Sequence, residues 1–346
     1  MRTVHLHNQQ LQLVHSDCLP YLKSLADNSV DLIVTDPPYF QVKKNAWDNQ
    51  WPDVTSFLAW LDEVTFELYR VLAPAGSLYL FCGSKLAAET ELLIKTRFDV
   101  LNHIVWAKPS GVWRRAHKPS LRKFFPATER IIFASHYGAE GVAKGQGQYH
   151  TQCQTLKKTV FAPLIHYFKQ AKAVTGISAS AINEATGTQM CSHWFSDSQW
   201  KLPSAKQYQC LQRLFEQHSR LERSHDSLLE EQQALNRQYQ HLVKEYDDLK
   251  EEYQRLRRPF QVSADVPYTD VWDFAPVQYY PNKHPCEKPL PMLEHMIQLS
   301  SREGDVVLDP FMGSGSTGKA CLSLNRAFIG IEQDEARYRM TLDDFQ

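Results

Sequence analysis

The sequence predicts an α/β protein built on a doubly wound sheet whose strands come from both ends of the chain, interrupted by an inserted, mainly helical module and a long coiled coil. Three observations lead there. β-branched runs alternate with helix-spaced apolar positions between residues 30 and 135. A strand, glycine turn, helix and second strand occupy residues 305–332. Leucine then recurs at every seventh position from Leu214 to Leu256.

The elements follow in order. Val30 to Thr35 is a short β-branched run that stops at Asp36-Pro37-Pro38-Tyr39, where two prolines forbid both helix and ladder pairing. Val54, Phe57, Leu58, Leu61, Val64, Leu68, Val71 and Leu72 fall at helical spacing, and Pro74-Ala75-Gly76 is expected to turn the chain into a strand from Ser77 to Cys82. Strands are expected again at Val100–Trp106 and Ile131–Ser135, and the alternation argues for parallel pairing. It breaks after about residue 138 in a Gly-, Gln- and His-rich stretch and resumes near residue 266. The last unit is a strand from Asp305 to Asp309, a helix through Leu324 and a strand from Ala327 to Glu332. These breaks divide the chain into residues 1–138, 139–212, 213–258 and 259–346.

The heptad leucines are Leu214, Leu221, Leu228, Leu235, Leu242, Leu249 and Leu256, with His218, His225, Gln232, Tyr239, Tyr246 and Tyr253 four residues after the first six. Roughly 45 helical residues make a rod of about 65 Å, ended by Pro259. Such a rod takes a partner helix from a second copy or a second protein, unless its leucine stripe lies on its own domain. Self-association into a homodimer is the expectation.

Composition limits the function classes. The 346 residues are 43% hydrophobic and 12% aromatic, enough to fill a core. The formal net charge is only −1, yet residues 100–210 hold 14 Lys/Arg against 4 Asp/Glu, an excess of +10 that leaves −11 elsewhere. No apolar run approaches the roughly 18 residues of a membrane helix, and the first residues lack a signal-peptide apolar region, so a cytoplasmic protein without a membrane partner is expected. Seven scattered cysteines without a C-x-x-C indicate neither disulfides nor zinc. Cys191 and His193 lack a second ligand pair, so no metal is expected.

The turn Asp309-Pro310-Phe311-Met312-Gly313-Ser314-Gly315-Ser316-Thr317-Gly318-Lys319-Ala320 admits several readings. Gly313, Gly315 and Gly318, with Glu332 at the end of the next strand, fit a dinucleotide fingerprint. A phosphate-binding loop nearly fits, but Ala320 stands where a magnesium-binding hydroxyl belongs, which argues against an ATPase. The same loop and ribose-binding acid also suit S-adenosylmethionine, which has a ribose and no phosphate. Asp36-Pro37-Pro38-Tyr39 separates these readings, because a dehydrogenase leaves it without a task. A nucleobase amine has its lone pair delocalised into the ring and must be polarised by acceptors. The Asp36 carboxylate and Pro37 carbonyl can accept its N–H groups, Pro38 stiffens the turn, and the Tyr39 ring offers a stacking face.

On these residues the chain resembles the amino-methyltransferases of DNA, which modify adenine at N6 or cytosine at N4. The resemblance spans residues 13–138 and 266–340 and implies a Rossmann-like methyltransferase sheet with S-adenosylmethionine as cofactor. The catalytic motif precedes the cofactor loop, with target recognition between them, which is the beta-class order. It implies a catalytic role for Asp36, Pro37, Pro38 and Tyr39. Cofactor contacts are implied for Asp17, Lys288 in His284-Pro285-Cys286-Glu287-Lys288-Pro289-Leu290, Asp309, Phe311, Gly313, Gly315, Thr317 and Glu332. Glu287 replaces a more usual Gln and Ser316 a usual Thr, at positions without an assigned chemical role. Residues 1–138 and 259–346 become the catalytic and cofactor-binding halves of one domain. An Asp at the first motif position leans toward adenine, with direct methyl transfer and no covalent enzyme intermediate.

The basic segment then suits duplex DNA. Lys108, Arg114, Arg115, Lys118, Arg122 and Lys123 are interleaved with Trp106, Trp113, Phe124 and Phe125, cations for phosphates and rings for an unstacked base. Gly176 to Thr188 resembles a helix-turn-helix within the target-recognition insertion at 139–212. Gly83, Ser84, Trp106, Lys108 and Pro109 at strand ends are further candidates for the base pocket. Cytosine N4 methylation and a catalytically silent DNA-binding protein on the same fold are the alternatives. The family allows a separate restriction endonuclease as a partner.

Overall fold

The computed structural model describes residues 2–41, 48–110, 119, 121–122, 124–136, 158–197, 199–216, 237, 240–249, 251–252, 256–262, 268–281 and 283–346. Contacts divide the chain into one unit of residues 1–149 and 258–346 and a second of residues 150–257.

The first unit is a nine-stranded sheet with the order β1-β2-β9-β8-β3-β4-β6-β5-β7. Its strands are β1 (Arg2–Leu6), β2 (Leu11–His15), β3 (Val30–Thr35), β4 (Leu72–Cys82), β5 (Asp99–Ala107), β6 (Thr128–Ser135), β7 (Val271–Trp272), β8 (Val306–Asp309) and β9 (Ala327–Glu332). The C-terminal β8 lies between β9 and the N-terminal β3, so both chain ends build one sheet, as expected. Alternate residues serve opposite faces. Leu32, Val34, Tyr79, Phe81, Ile131 and Phe133 face a core with Met292, Met296, Cys321 and Tyr338, whereas Ile33, Leu78, Leu80, Ile132 and Ala134 face one with Tyr21, Val64, Leu68 and Ile94. Helices therefore cover both faces. The second core uses α1 (Cys18–Leu22), α2 (Val54–Val71) and α3 (Ala87–Lys95), with Asp17 and Asp53 capping the first two.

The sheet departs from the expectation in three places. Pairing is mixed, because β6 runs antiparallel to both β4 and β5, and β1 antiparallel to β2. Pro74-Ala75-Gly76 is no turn; these residues continue β4 through a register shift in which Val30 pairs with Leu72 but Leu32 with Ser77. The short β7 lies parallel to β5 through Val105↔Val271 and Trp106↔Trp272.

The second unit contains α4 (Ala162–Thr175), α5 (Ala179–Thr186), α6 (Cys191–Trp194) and α7 (Ala205–Glu216). Gly176 and Gly187, both with φ of 64°, end α4 and α5 in the left-handed conformation, and Ser178 caps α5. The Asn183 side-chain oxygen accepts from Cys191 N at 3.1 Å, closing a compact helix-turn-helix. One core joins Phe161, Leu164, Phe168, Trp200, Tyr208 and Leu242, with Tyr246 and Leu249 packed against it.

That core changes the reading of the heptads. Residues 240–249 are helical, but Leu242, 6% exposed, is covered by helices of its own unit rather than by a partner. Leu214 likewise packs beside Ile177 and Trp194, and Leu256 is exposed. Leu221, Leu228 and Leu235 lie outside the described residues. The dimerising rod thus loses its support at Leu214, Leu242 and Leu249, because an apolar stripe of this period can equally be buried intramolecularly. Leu242→Lys is expected to destabilise the unit by about 2–5 kcal/mol through lost apolar burial and a buried charge. Its Tm should fall by several degrees, independently of protein concentration; a cooperative dimer-to-monomer change at unchanged Tm would contradict this. Among the described residues no helix is long and apolar enough to cross a membrane, and no cluster of three metal-binding side chains occurs.

Candidate active site

The site forms where β8 and β3 lie side by side, so that the segments leaving their carboxyl ends share one crevice. A cavity of about 1350 Å³ opens there, lined at one end by Asp17, Phe311, Gly313 and Glu332 and at the other by Asp36, Tyr39, Glu129 and Lys288.

The glycine turn builds the first end. Gly313 and Gly315 have φ of 50° and 71°, left-handed values that shape the turn and bring the bare backbone of Gly313 to the cavity wall. Gly313 N donates to Glu332 Oε2 at 3.1 Å, Asp334 N donates to Oε1 at 2.8 Å, and the Thr341 hydroxyl donates to Gly313 O at 2.7 Å. Thr341 belongs to α10 (Glu335–Phe345), which follows β9, while α9 (Ser316–Ser323) leaves the turn itself. Burial raises the Glu332 carboxyl above its usual range, opposed by the Asp334 and Gly313 N–H groups. Trp60 from α2 meets Phe311 edge-on at 5.8 Å, forming an aromatic wall.

Asp309 and Thr317 organise this loop. Asp309 is buried and accepts from Thr317 Oγ1 at 2.8 Å and from Phe311 N at 3.1 Å. Burial, opposed by those two donors, pushes its carboxyl up to about 7. The folded value lies above the unfolded ~3.9, so between these values the folded chain holds a proton that the unfolded chain has lost. This stabilisation is complete below about pH 4 and is lost as pH rises through the folded value. Asp309→Asn removes the titration and is expected to flatten the corresponding fall in Tm; parallel Tm–pH curves for the two proteins would refute it.

The donor set fits S-adenosylmethionine better than a phosphate cofactor. The acids Asp17 and Glu332 flank the wall as acceptors for hydroxyls and an amine, and a Cβ at Gly313 would come within 3.3 Å of the His284 ring, narrowing the cradle. Lys319, the only cation of the turn, pairs instead with Asp344 at 2.8 Å. Asp17 Oδ1 also accepts from Leu19 N at 2.9 Å, which fixes the carboxylate at the start of α1.

The second end is a half-buried polar network around the buried Lys288. Asp36 Oδ1 accepts from the Tyr39 hydroxyl at 2.6 Å, and its Oδ2 from Lys288 Nζ. Asp48 holds the turn by accepting from Tyr39 N at 3.0 Å through Oδ1 and from Gln41 N at 2.8 Å through its carbonyl. Gly83, after β4, lets the Tyr39 ring approach: a Cβ there would lie 3.3 Å from Tyr39 Cδ2. Lys288, to which the resemblance gives a cofactor contact, lies just before α8 (Leu290–Ser300), lines the cavity and donates to Asp36. Glu129, near the start of β6, completes the network; its Oε1 accepts from Lys108 Nζ, and Lys288 Nζ is 3.5 Å from its Oε2. Burial raises the Asp36 carboxyl, opposed by the Lys288 ammonium, and the nearby Glu129 adds to the rise. For Glu129, burial is outweighed by Lys288 and Lys108, which hold its carboxyl down at about 2.

Two of the expected DNA contacts have partners within the protein in this structure. Lys108 is paired with Glu129 and sits 4.6 Å over the Trp106 ring, because the β5–β6 register sets Trp106 opposite Glu129. Arg122 donates to the carbonyls of Pro119 and Leu121 at 3.1 Å, bracing its own loop. Arg114, Arg115, Lys118 and Lys123 lie outside the described residues. Glu129, Asp48 and Trp60 escaped sequence reasoning. The one available signal was for Glu129, a charge opening the apolar run Ile131-Ile132-Phe133-Ala134.

The comparisons with known proteins agree with this geometry. A family model described as DNA methylase matches residues 30–343. The chain is 26% identical over 347 aligned positions to the DNA adenine methyltransferase YhdJ of Escherichia coli K12, covering 97% of this chain and 82% of that protein. It is 25% identical to the type II methyltransferase M.HpaI of Haemophilus parainfluenzae, covering 93% and 69%. Among solved structures, the cytosine-N4-specific PvuII DNA methyltransferase has the same fold with a TM-score of 0.53 at 13% identity, covering 97% of this chain and 86% of that one. With a match across nearly the whole chain, on a sheet and cavity of this construction, the protein belongs to the DNA methylase family of N6-adenine and N4-cytosine methyltransferases.

Proposed function

We propose that this methyltransferase transfers a methyl group from S-adenosylmethionine to the exocyclic N6 amine of adenine in duplex DNA. The observation that carries the reading is the single cavity with Glu332 and the glycine turn at one end and Asp36, Pro37 and Tyr39 at the other. S-adenosylmethionine, when bound, supplies an electrophilic methyl group on a sulfonium sulfur. Glu332 and Asp17 hold its polar groups, and Phe311 with Trp60 provides a face for its adenine.

At the acceptor end the chain orients and polarises the amine. The Asp36 carboxylate and Pro37 carbonyl accept its two N–H groups, drawing the nitrogen toward a pyramidal shape with its lone pair directed to the methyl group. Tyr39 stacks on the base. The buried floor formed by Trp106, Phe81 and Lys288 excludes water from the reacting nitrogen. The nitrogen loses its proton after the new N–C bond forms, so a base of high pKa is unnecessary. An amine inside a duplex cannot reach this depth, so the target nucleotide is flipped out of the stack. Residues 150–257, with the helix-turn-helix of α5 and α6, are proposed to read the DNA site.

Adenine is favoured by the Asp at the motif's first position and by the relative named as an adenine methyltransferase, matched over 97% of this chain. The test is digestion of methylated duplex DNA to nucleosides. N6-methyladenine as the only modified nucleoside is expected, and N4-methylcytosine would assign the enzyme to the other branch.

A further inference from the structure

Asp36 enters the reaction with both carboxylate oxygens already engaged. The Tyr39 hydroxyl occupies Oδ1 at 2.6 Å and the Lys288 ammonium occupies Oδ2. Each oxygen keeps a further lone pair, but two strong donors, one of them a cation, weaken what remains for a third donor, and the amine is the group it has to serve. The same two donors share a second acceptor. Glu129 Oε2 lies 3.1 Å from the Tyr39 hydroxyl and 3.5 Å from Lys288 Nζ, while Lys108 on Oε1 anchors the other side of that carboxylate. Tyr39 has one hydroxyl proton and two carboxylates within reach of it, and Lys288 needs to close only about 0.7 Å to reach an ordinary ammonium–carboxylate distance.

We propose that Glu129 is a positioning residue for methyl transfer: its Oε2 takes over the Tyr39 hydroxyl and the Lys288 ammonium, which releases the Asp36 carboxylate to accept the N–H of the target amine. The inference rests on the reading of Asp36 as the acceptor of that amine.

Electrostatics favours this exchange at the right moment. Two lysines and two carboxylates make the closed network neutral. Moving Lys288 toward Glu129 leaves Asp36 as a half-buried carboxylate without its cation, a costly state. The positive charge that develops on the nitrogen during methyl transfer then compensates it, so the stabilisation is greater in the transition state than in the resting site. Geometry allows the exchange without backbone movement. Glu129 is held in β6 opposite Trp106, and Lys288 also donates to the Cys286 carbonyl at 3.3 Å, which keeps its ammonium between the two acids. In contrast, a Glu129 that served only as counter-ion to Lys108 would have no need to present its second oxygen to Tyr39 and Lys288.

The test is single-turnover methyl transfer with saturating S-adenosylmethionine and duplex DNA. Glu129→Gln cannot balance the Lys288 charge and is expected to slow transfer about a hundredfold, with cofactor and DNA affinities within about threefold of the parent's. Glu129→Asp keeps the charge and should recover a substantial part of the rate. The Glu129→Gln/Lys108→Met double variant removes the ammonium left unpaired, so it guards against loss of folding; its transfer should stay slow. Parent-like transfer by Glu129→Gln, or recovery of the parent rate in the double variant, would overturn the proposal and leave Glu129 as a counter-ion to Lys108. Those results would leave the function reading intact if Asp36→Ala remains inactive, whereas undiminished transfer by Asp36→Ala would overturn both.

Discussion

Asp36→Ala is expected to reduce methyl transfer by at least about a thousandfold, while S-adenosylmethionine binds within about threefold of its affinity for the parent. The two effects separate because the two ends of the cavity are built from different parts of the chain. Asp36 leaves β3, and its partners are Tyr39 and Lys288. The cofactor end is held by Gly313, Asp334 and Thr341 around Glu332, none of which touches the Asp36 side chain. Removing the carboxylate leaves the amine with the Pro37 carbonyl alone, and its lone pair stays delocalised in the ring. Folding should survive, since Glu129 remains as a carboxylate partner for Lys288. Calorimetric titration of the cofactor and a single-turnover assay report the two quantities independently. Transfer within tenfold of the parent would remove Asp36 from the chemistry, and joint loss of transfer and cofactor binding would mean that the two ends are one structural unit.

Gly315→Ala acts on the opposite end. Gly315 has a φ of 71°, and a methyl group there would lie 2.6 Å from Thr341 Cγ2 and 2.7 Å from Phe345 Cε2. Both neighbours are buried on α10, so neither can swing into solvent. The left-handed backbone costs about 1–2 kcal/mol for a residue with a Cβ, and overpacking a filled site costs about 1–3 kcal/mol more. A total of about 2–5 kcal/mol is expected, with a lower Tm. Displacing α10 also pulls Thr341 away from Gly313 O, to which it donates at 2.7 Å, so cofactor affinity should fall at least about tenfold. Parent-like Tm and affinity would show that the turn relaxes without cost.

Much of this architecture was legible because the deciding signals are local. The run from Val30 to Thr35 is bounded by two prolines, and Asp309 to Gly315 joins a buried strand to a helix through glycines with positive φ. Both motifs could be placed at strand ends, and the sheet brings those ends together. Where pairing decides, local signals failed. Alternation suggested parallel strands, but β5 and β6 join without a helix among the described residues between them and pair antiparallel. Pro74-Ala75-Gly76 has the composition of a turn, yet the register shift against β3 absorbs it within a strand. The leucine heptads report an apolar stripe and not what covers it; Leu242 is covered by Phe161, Phe168 and Trp200 of its own unit.

The site shows the same division. Asp36, Tyr39 and Glu332 announce themselves through motifs, whereas Glu129 acquires its place only when β6 pairs with β5 and the segment before α8 returns to the sheet. Lys108 and Lys288 were grouped by sequence with DNA phosphates and the cofactor. A lysine's partner depends on which acids the fold brings near it, here Glu129 and Asp36.

The most direct test of the central claim follows label from S-adenosylmethionine carrying a radioactive methyl group into mixed-sequence duplex DNA incubated with the purified protein. Stable incorporation into DNA, lost in Asp36→Ala, is the predicted result. Cofactor binding without any label in the DNA would contradict the assignment of the Asp36 end of the cavity to a nucleobase amine.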